Sequence, residues 1–108
     1  MINIIFYKRK RNRSLKGINV SGHAEYDEPG RDIICAAVST LTINLINSIE
    51  QLTDTKWKFA VDDGFIDMSF PSEIDDDCMI LVESYFLGIE SIIEAYGSSF
   101  IKIETKEV

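Results

Sequence analysis

Residues 22–39 read GHAEYDEPGRDIICAAVS, and this stretch predicts a strand end, a loop and a helix start, in that order. His23, the only histidine of the chain, follows a strand-like run, and Cys35, one of two cysteines, opens an apolar run with helical spacing. Pro29 and Gly30 lie in the polar segment between them and predict a loop. A base at a strand end that faces a thiol at a helix start suits nucleophilic catalysis by the thiol.

Asp32 is predicted to be the N-cap of this helix, because its carboxylate can accept the unpaired N–H groups of the first turn. Cys35 is then the third helical residue, where the helix dipole and the free N–H groups favour a thiolate. The same N–H groups could stabilise an oxyanion. Ser39 lies one turn further on. Its hydroxyl can approach the thiol, or it can be an ordinary solvent-facing serine.

Working outward, apolar periodicity predicts two helices and five strands. The helices cover residues 33–52 and 78–96, and Gly97 is a C-cap. The apolar stripe of the first helix includes Leu52, and Thr42 lies with Cys35 and Ser39 at its edge. The strands fall at residues 2–8, 18–23, 56–61, 65–70 and 100–103, with a basic turn at 9–16 and a hairpin turn at Asp62-Asp63-Gly64. The pattern places His23 on the polar side of its strand and makes the strand at 56–61 half-buried. The order β-β-α-β-β-α-β predicts an α+β fold, a mixed, mostly antiparallel sheet with both helices on one face.

Composition limits the class of protein. The chain has 108 residues, 45% of them hydrophobic, and we interpret residues 1–108 as one globular domain. We expect no membrane-spanning run and no signal peptide, and therefore a cytoplasmic protein with free thiols. One histidine and two cysteines are too few for a zinc site, so neither a metal nor another cofactor is expected.

The net charge of −7 hides a basic segment near the start of the chain. It holds six of the 11 basic residues, namely Lys8, Arg9, Lys10, Arg11, Arg13 and Lys16. Such a run is usually a solvated hairpin tip, and an acidic protein is a poor general binder of nucleic acid. The segment nevertheless leaves open a non-catalytic, ribosome-associated module that binds RNA or protein. A redox or structural role for the thiols is a second alternative.

The two blocks GHA at residues 22–24 and DIICAAVS at residues 32–39, with Gly30 between them, resemble the signature of the bacterial ribosomal-processing cysteine protease family, Prp. The resemblance implies a cysteine endopeptidase with His23 and Cys35 in the catalytic positions and a homodimeric assembly. It also implies a substrate, the short N-terminal extension of the precursor of ribosomal protein L-twenty-seven, cleaved after an aromatic pair.

In this interpretation His23 takes the proton of the Cys35 thiol and later protonates the leaving amine. Asp32 caps the helix and could also orient His23, and Gly22 and Gly30 let the backbone bend. The loop between the two catalytic positions is the predicted lid and substrate-binding segment, with the substrate extended along the His23 strand and this loop. Its members are Ala24, Glu25, Tyr26, Asp27, Glu28, Pro29 and Arg31.

Cys78 serves as an internal comparison. It also lies near a helix start, but it follows Asp75-Asp76-Asp77, and neighbouring carboxylates disfavour a thiolate. It lies on the apolar stripe of its helix as well. We therefore predict that Cys78 is a core residue.

Overall fold

The computed structural model describes residues 1–28 and 31–108. Within them the chain forms seven elements: β1 (Ile2–Lys8), β2 (Leu15–Ser21), α1 (Ile33–Leu52), β3 (Lys58–Asp62), β4 (Phe65–Ser69), α2 (Asp76–Tyr96) and β5 (Ile101–Glu107). The predicted order of strands and helices is confirmed. The expected loop positions of Pro29 and Gly30 lie outside the described residues.

The strands form one sheet in the order β3-β4-β2-β1-β5. Neighbouring strands are antiparallel except β1 and β5, which run parallel. The predicted mixed, mostly antiparallel sheet is thus confirmed. β2 lies in the middle and is paired on both sides as far as Ser21, which pairs with Asn3 on one side and Phe65 on the other. The free edges belong to β3 and β5.

The core lies between one face of the sheet and the two helices. Alternate residues of the central strands are buried there, as the period of two in a strand dictates. The fully buried side chains are Ile4, Ile18, Ile34, Thr42, Ile49, Met68, Phe70, Cys78 and Ile89. Both helices contribute to this set, which matches the prediction that they cover the same face.

Thr42 departs from the predicted stripe of α1. We expected Leu52 to be part of the buried stripe and Thr42 to lie at its edge, but Thr42 is fully buried and Leu52 is 69% exposed. The Thr42 hydroxyl can be buried because it donates to the Val38 carbonyl and lies 2.9 Å from the Tyr85 hydroxyl. A buried polar group is tolerated when it is hydrogen-bonded.

Two other expectations about burial are wrong. β3 is exposed along its whole length and forms one edge of the sheet. The basic turn is only partly a solvated tip. The Arg9 guanidinium donates to the Ser14 hydroxyl and to the carbonyls of Leu15 and Phe70, so this cation fastens the turn to the start of β2 and to the end of β4.

Contrary to expectation, α1 is long and apolar enough to cross a membrane by length and composition. Length and composition do not show which side of the helix each residue occupies. Ile34, Val38, Leu45 and Ile49 form a buried stripe against the sheet. A core helix passes the same test as a membrane span, and α1 packs as a core helix in this fold.

Candidate active site

The start of α1 is fixed by the carboxylate of Asp32. Its Oδ1 atom accepts the N–H groups of Ile34 and Cys35 at 3.0 and 2.9 Å, and Oδ2 accepts the N–H of Tyr26 at 3.0 Å. The predicted N-cap is therefore observed. Burial alone would raise the pKa of Asp32, but the hydrogen bonds from the backbone of Cys35 and Tyr26 outweigh it and lower the pKa.

These bonds limit what else Asp32 and the first turn can do. Backbone N–H groups hold the Asp32 side chain, the Cys35 thiol also lowers its pKa, and no hydrogen bond from His23 reaches it within the described residues, so the cap is the role that the geometry supports. The N–H groups of Ile34 and Cys35 are also engaged in the cap. An oxyanion at this site would need other donors.

Cys35 is the third residue of α1, as predicted, and its thiol is half-buried. The Sγ atom accepts a hydrogen bond from the backbone N–H of Ala24 at 3.1 Å. A hydrogen bond to sulfur and the positive end of the helix dipole both stabilise negative charge on this atom. The sequence placed Ala24 in the loop, but nothing in its side chain indicates that its backbone contacts the thiol.

His23 lies beyond the strand that was predicted to carry it. β2 ends at Ser21, and Gly22 has φ +91°, so the alternation of sides that put His23 on the polar face does not reach this residue. A side chain at position 22 would collide with the carbonyl oxygen of Met1, which explains the glycine. His23 nevertheless lines a pocket that Cys35 also borders, although the argument from alternation is wrong.

His23 and Cys35 line one pocket of about 400 Å³ between α1 and the β3–β4 hairpin. Ser39 also lines it, one helical turn beyond Cys35. The remaining wall is largely apolar, with Ile43 from α1 and Val61 from β3, of which Val61 is 53% exposed. A second pocket, of about 450 Å³, lies between α2 and the other end of the sheet, and neither a histidine nor a cysteine lines it.

The first residues of the loop before α1 are held in place by packing. Ala24 is buried, and the Tyr26 ring packs edge-on against Tyr96 and Phe100 at centroid distances of 5.8 and 5.2 Å. Glu25 between them has φ +58°. The other described residues of the predicted substrate-binding segment, Asp27, Glu28 and Arg31, are exposed.

The expected path of a substrate needs correction. A peptide cannot pair with β2, because both edges of this central strand are already paired. The unpaired edge on this side of the sheet is that of β3, which supplies Val61 and Asp62 to the pocket. The sequence predicted β3 as a strand, but its place at the edge depends on pairing between distant segments.

Cys78 is fully buried in the core, as predicted. Burial raises the pKa of this thiol; a hydrogen bond with the Thr55 side chain opposes that effect, and the charge of Asp75 adds to it. Both cysteines are free thiols. The two therefore differ in access to solvent and in electrostatic surroundings.

A half-exposed thiol at a capped helix start and an imidazole on the wall of the same pocket are the components of a thiol-dependent hydrolase. Residues 1–102 match the profile of the family described as Cysteine protease Prp. The chain belongs to this family and is a cysteine protease.

Relatives agree with this assignment. The chain is 23% identical to the ribosomal processing cysteine protease Prp of Bacillus subtilis over 95 residues, which cover 82% of this chain and 85% of the relative. It is 26% identical to the Staphylococcus aureus protein of the same name over 82 residues, covering 74% and 77% of the two chains.

Solved structures share the fold. The S. aureus protease Prp in complex with a covalently linked product peptide superposes with a TM-score of 0.87 at 23% identity, covering 98% of this chain and 100% of that one. The protein SMU.848 of Streptococcus mutans superposes with a TM-score of 0.80 at 32% identity, covering 100% and 96%.

Proposed function

We propose that this protease is an endopeptidase with a Cys35–His23 dyad that removes the N-terminal extension of the precursor of ribosomal protein L-twenty-seven, cutting after an aromatic pair. The observation that carries the proposal is the position of the Cys35 thiol. Its Sγ atom lies at a helix start, accepts the Ala24 N–H and borders a pocket that His23 also lines.

In the proposed reaction the imidazole of His23 takes the thiol proton and the thiolate attacks the peptide carbonyl carbon. The C–N bond then breaks, and His23 returns the proton to the leaving amine, which leaves a thioester on Cys35. A water molecule that loses a proton to His23 hydrolyses the thioester and restores the thiol. Without substrate, Sγ accepts a hydrogen bond from the Ala24 N–H and none from His23. Catalytic hydrogen bonds often tighten only when substrate binds.

The apolar pocket wall favours a substrate with an apolar residue next to the scissile bond. Ile43, Val61 and Phe65 expose apolar side chains at its rim, and each buried Phe of a substrate would contribute roughly 1.5–3 kcal/mol. S. aureus Prp has been solved in complex with a covalently linked product peptide and in complex with a substrate peptide. These relatives support a peptide as the substrate class of this chain.

The test is single-turnover cleavage of two matched peptides, one with an aromatic pair before the scissile bond and one with two alanines there. We expect kcat/KM to fall by on the order of a hundredfold or more with the alanine peptide, at about 1.36 kcal/mol per decade. Mass spectrometry of the products identifies the bond that is cut. Equal rates for the two peptides would contradict the proposed specificity.

The alternative of a non-catalytic RNA-binding or protein-binding module is less well supported. Two cations of the basic turn are engaged within the protein, since Arg9 binds the Ser14 hydroxyl and two backbone carbonyls and Arg13 forms an ion pair with Glu107 at 2.6 Å. Fewer free cations remain for phosphate contacts than the sequence indicated.

We further propose that the protease works in the cytoplasm as a homodimer. On α2, Ile80 and Leu87 lie two turns apart on one side of the helix and are 68% and 63% exposed. Such apolar exposure is consistent with contact to a second copy. Sedimentation velocity of the purified chain should give twice the mass of the monomer, and a monomer at micromolar concentration would contradict the dimer.

A further inference from the structure

The turn between β3 and β4 touches the segment of His23 at two points. The carbonyl oxygen of Gly64 accepts the N–H of Gly22 at 3.0 Å, which ties the turn to the residue before the histidine. The His23 ring lies directly over Gly64. A Cβ atom at position 64 would be 3.0 Å from Nε2 and 3.4 Å from Cε1 of this ring.

These contacts matter because His23 lies outside a regular strand and its ring is not held by a hydrogen bond within the described residues. His23 lies outside the regular pairing of β2 and its side chain is exposed. Within residues 1–28 and 31–108, no hydrogen bond involves its ring nitrogens. Packing on the bare backbone of Gly64 is therefore a contact that limits where the ring can lie.

Gly64 also has a reason to be glycine that does not involve His23. Its φ is +67°, a backbone conformation that destabilises residues with a Cβ. Gly97 at the end of α2 also has a positive φ, of +91°, with ψ 170°, and a Cβ there would meet no atom within 4 Å. Gly97→Ala is therefore a control for the strain of placing a Cβ at a positive φ, at a position without any contact to the site.

We propose that Gly64 is a positioning residue for His23. The absence of a side chain on this turn lets the imidazole lie against the backbone at the mouth of the pocket, and the Gly64–Gly22 hydrogen bond holds the turn at the distance that this packing requires. The inference rests on the proposed function in so far as His23 is the catalytic base. The contact between Gly64 and the ring does not depend on that function.

The experiment compares the wild type with Gly64→Ala and Gly97→Ala. Because His23 is the only histidine, its ring protons give unambiguous signals in a ¹H NMR spectrum. The wild type should show a nuclear Overhauser effect between the Gly64 α-protons and the His23 ring. Gly64→Ala should move the ring signals and lower kcat by roughly 10- to 100-fold with KM within twofold, since a small displacement of a catalytic group costs this much.

Gly97→Ala should leave both the ring signals and kcat within error of the wild type. If Gly64→Ala does not fold, Gly64→Asn takes its place, because Asn tolerates a positive φ but still carries a Cβ. Absence of the Overhauser effect in the wild type would overturn the proposal. So would unchanged ring signals in the position 64 variants, an unchanged kcat, or an equal loss of kcat in Gly97→Ala.

The two proposals can fail separately. Cleavage that survives in Cys35→Ala or His23→Ala would contradict the protease mechanism, while the spectra would still report whether Gly64 holds the ring. Conversely, a protease that depends on Cys35 and His23 but keeps its ring signals in Gly64→Ala would contradict only the role of Gly64.

Discussion

The first turns of α1 and α2 have the same sequence spacing and opposite properties. In each, an aspartate is the N-cap and a cysteine follows at the third helical position, Asp32 with Cys35 and Asp75 with Cys78. Cys35 is half-buried and lines a pocket, whereas Cys78 is fully enclosed by the core. The pattern D-x-x-C alone therefore does not mark a reactive thiol.

The surroundings of the two turns explain the difference. The chain before α1 folds back, so the Ala24 N–H contacts Sγ of Cys35 and the Asp32 carboxylate binds three backbone N–H groups. The side chain of Asp75 makes no capping bond. What decides the chemistry of a helix-start cysteine here is the segment that covers it, because that segment sets both access and hydrogen bonding.

Replacing each cysteine with alanine should give the largest difference in activity between the two helix starts. Cys35→Ala removes the nucleophile, so we expect peptide cleavage to fall by on the order of 10³-fold or more. Cys78→Ala should keep kcat/KM within about threefold and lower the free energy of unfolding by about 1 kcal/mol, because it removes a buried atom. Mass spectrometry of cleaved peptide and urea denaturation measure the two effects.

Circular dichroism of Cys35→Ala should match the wild type, which excludes loss of fold as the cause. Activity in Cys35→Ala equal to that of the wild type would end the thiol mechanism. A comparable loss in Cys78→Ala would show that the two turns are less different than their burial indicates.

Removing each N-cap side chain should produce a smaller difference, in the free energy of unfolding. α1 has no acidic residue in its first turn, so Asp32→Ala should lower the free energy of unfolding by about 1–2 kcal/mol at pH 7. Asp75→Ala should cost less than about 0.5 kcal/mol, because Asp75 makes no capping bond and Asp76 and Asp77 remain to interact with the dipole. Urea denaturation of both variants measures the difference.

The contribution of Asp32 should depend on pH in a known direction. Its pKa in the folded protein is lowered, so between the folded and unfolded values the unfolded chain binds more protons, and stability rises with pH. The advantage of the wild type over Asp32→Ala is therefore complete above about pH 4, near the unfolded pKa, and disappears as the pH falls through the folded pKa. An advantage that grows towards low pH would contradict this assignment.

Local patterns were sufficient to predict much of this fold. The period of two, the period of 3.6 and the turn residues gave the order of elements, the whole span of α1 and the C-cap at Gly97, which are properties of short segments. The cap at Asp32 and the burial of Cys78 were also predictable, because each follows from a residue type at a fixed helical position.

Contacts between distant segments could not be predicted in this way. The exposure of β3 depends on its place at the sheet edge, and the burial of Thr42 depends on a partner hydroxyl on α2. The contact of Gly64 with His23 joins a hairpin turn to a residue some forty positions earlier. A local pattern holds no information about such pairs. Their loop-closure entropy and their contact energy depend on how the whole chain folds.

The anchoring of Tyr26 sets an order of events during synthesis. Its ring rests on Tyr96 and Phe100, which the ribosome adds about seventy residues after the segment that carries His23. Contacts of such long sequence separation close late, because loop closure must precede them. A nascent chain that has only reached β3 already contains His23 and Cys35 but lacks the support of the loop between them. We therefore expect this protease to gain its activity only after α2 and β5 have joined the sheet.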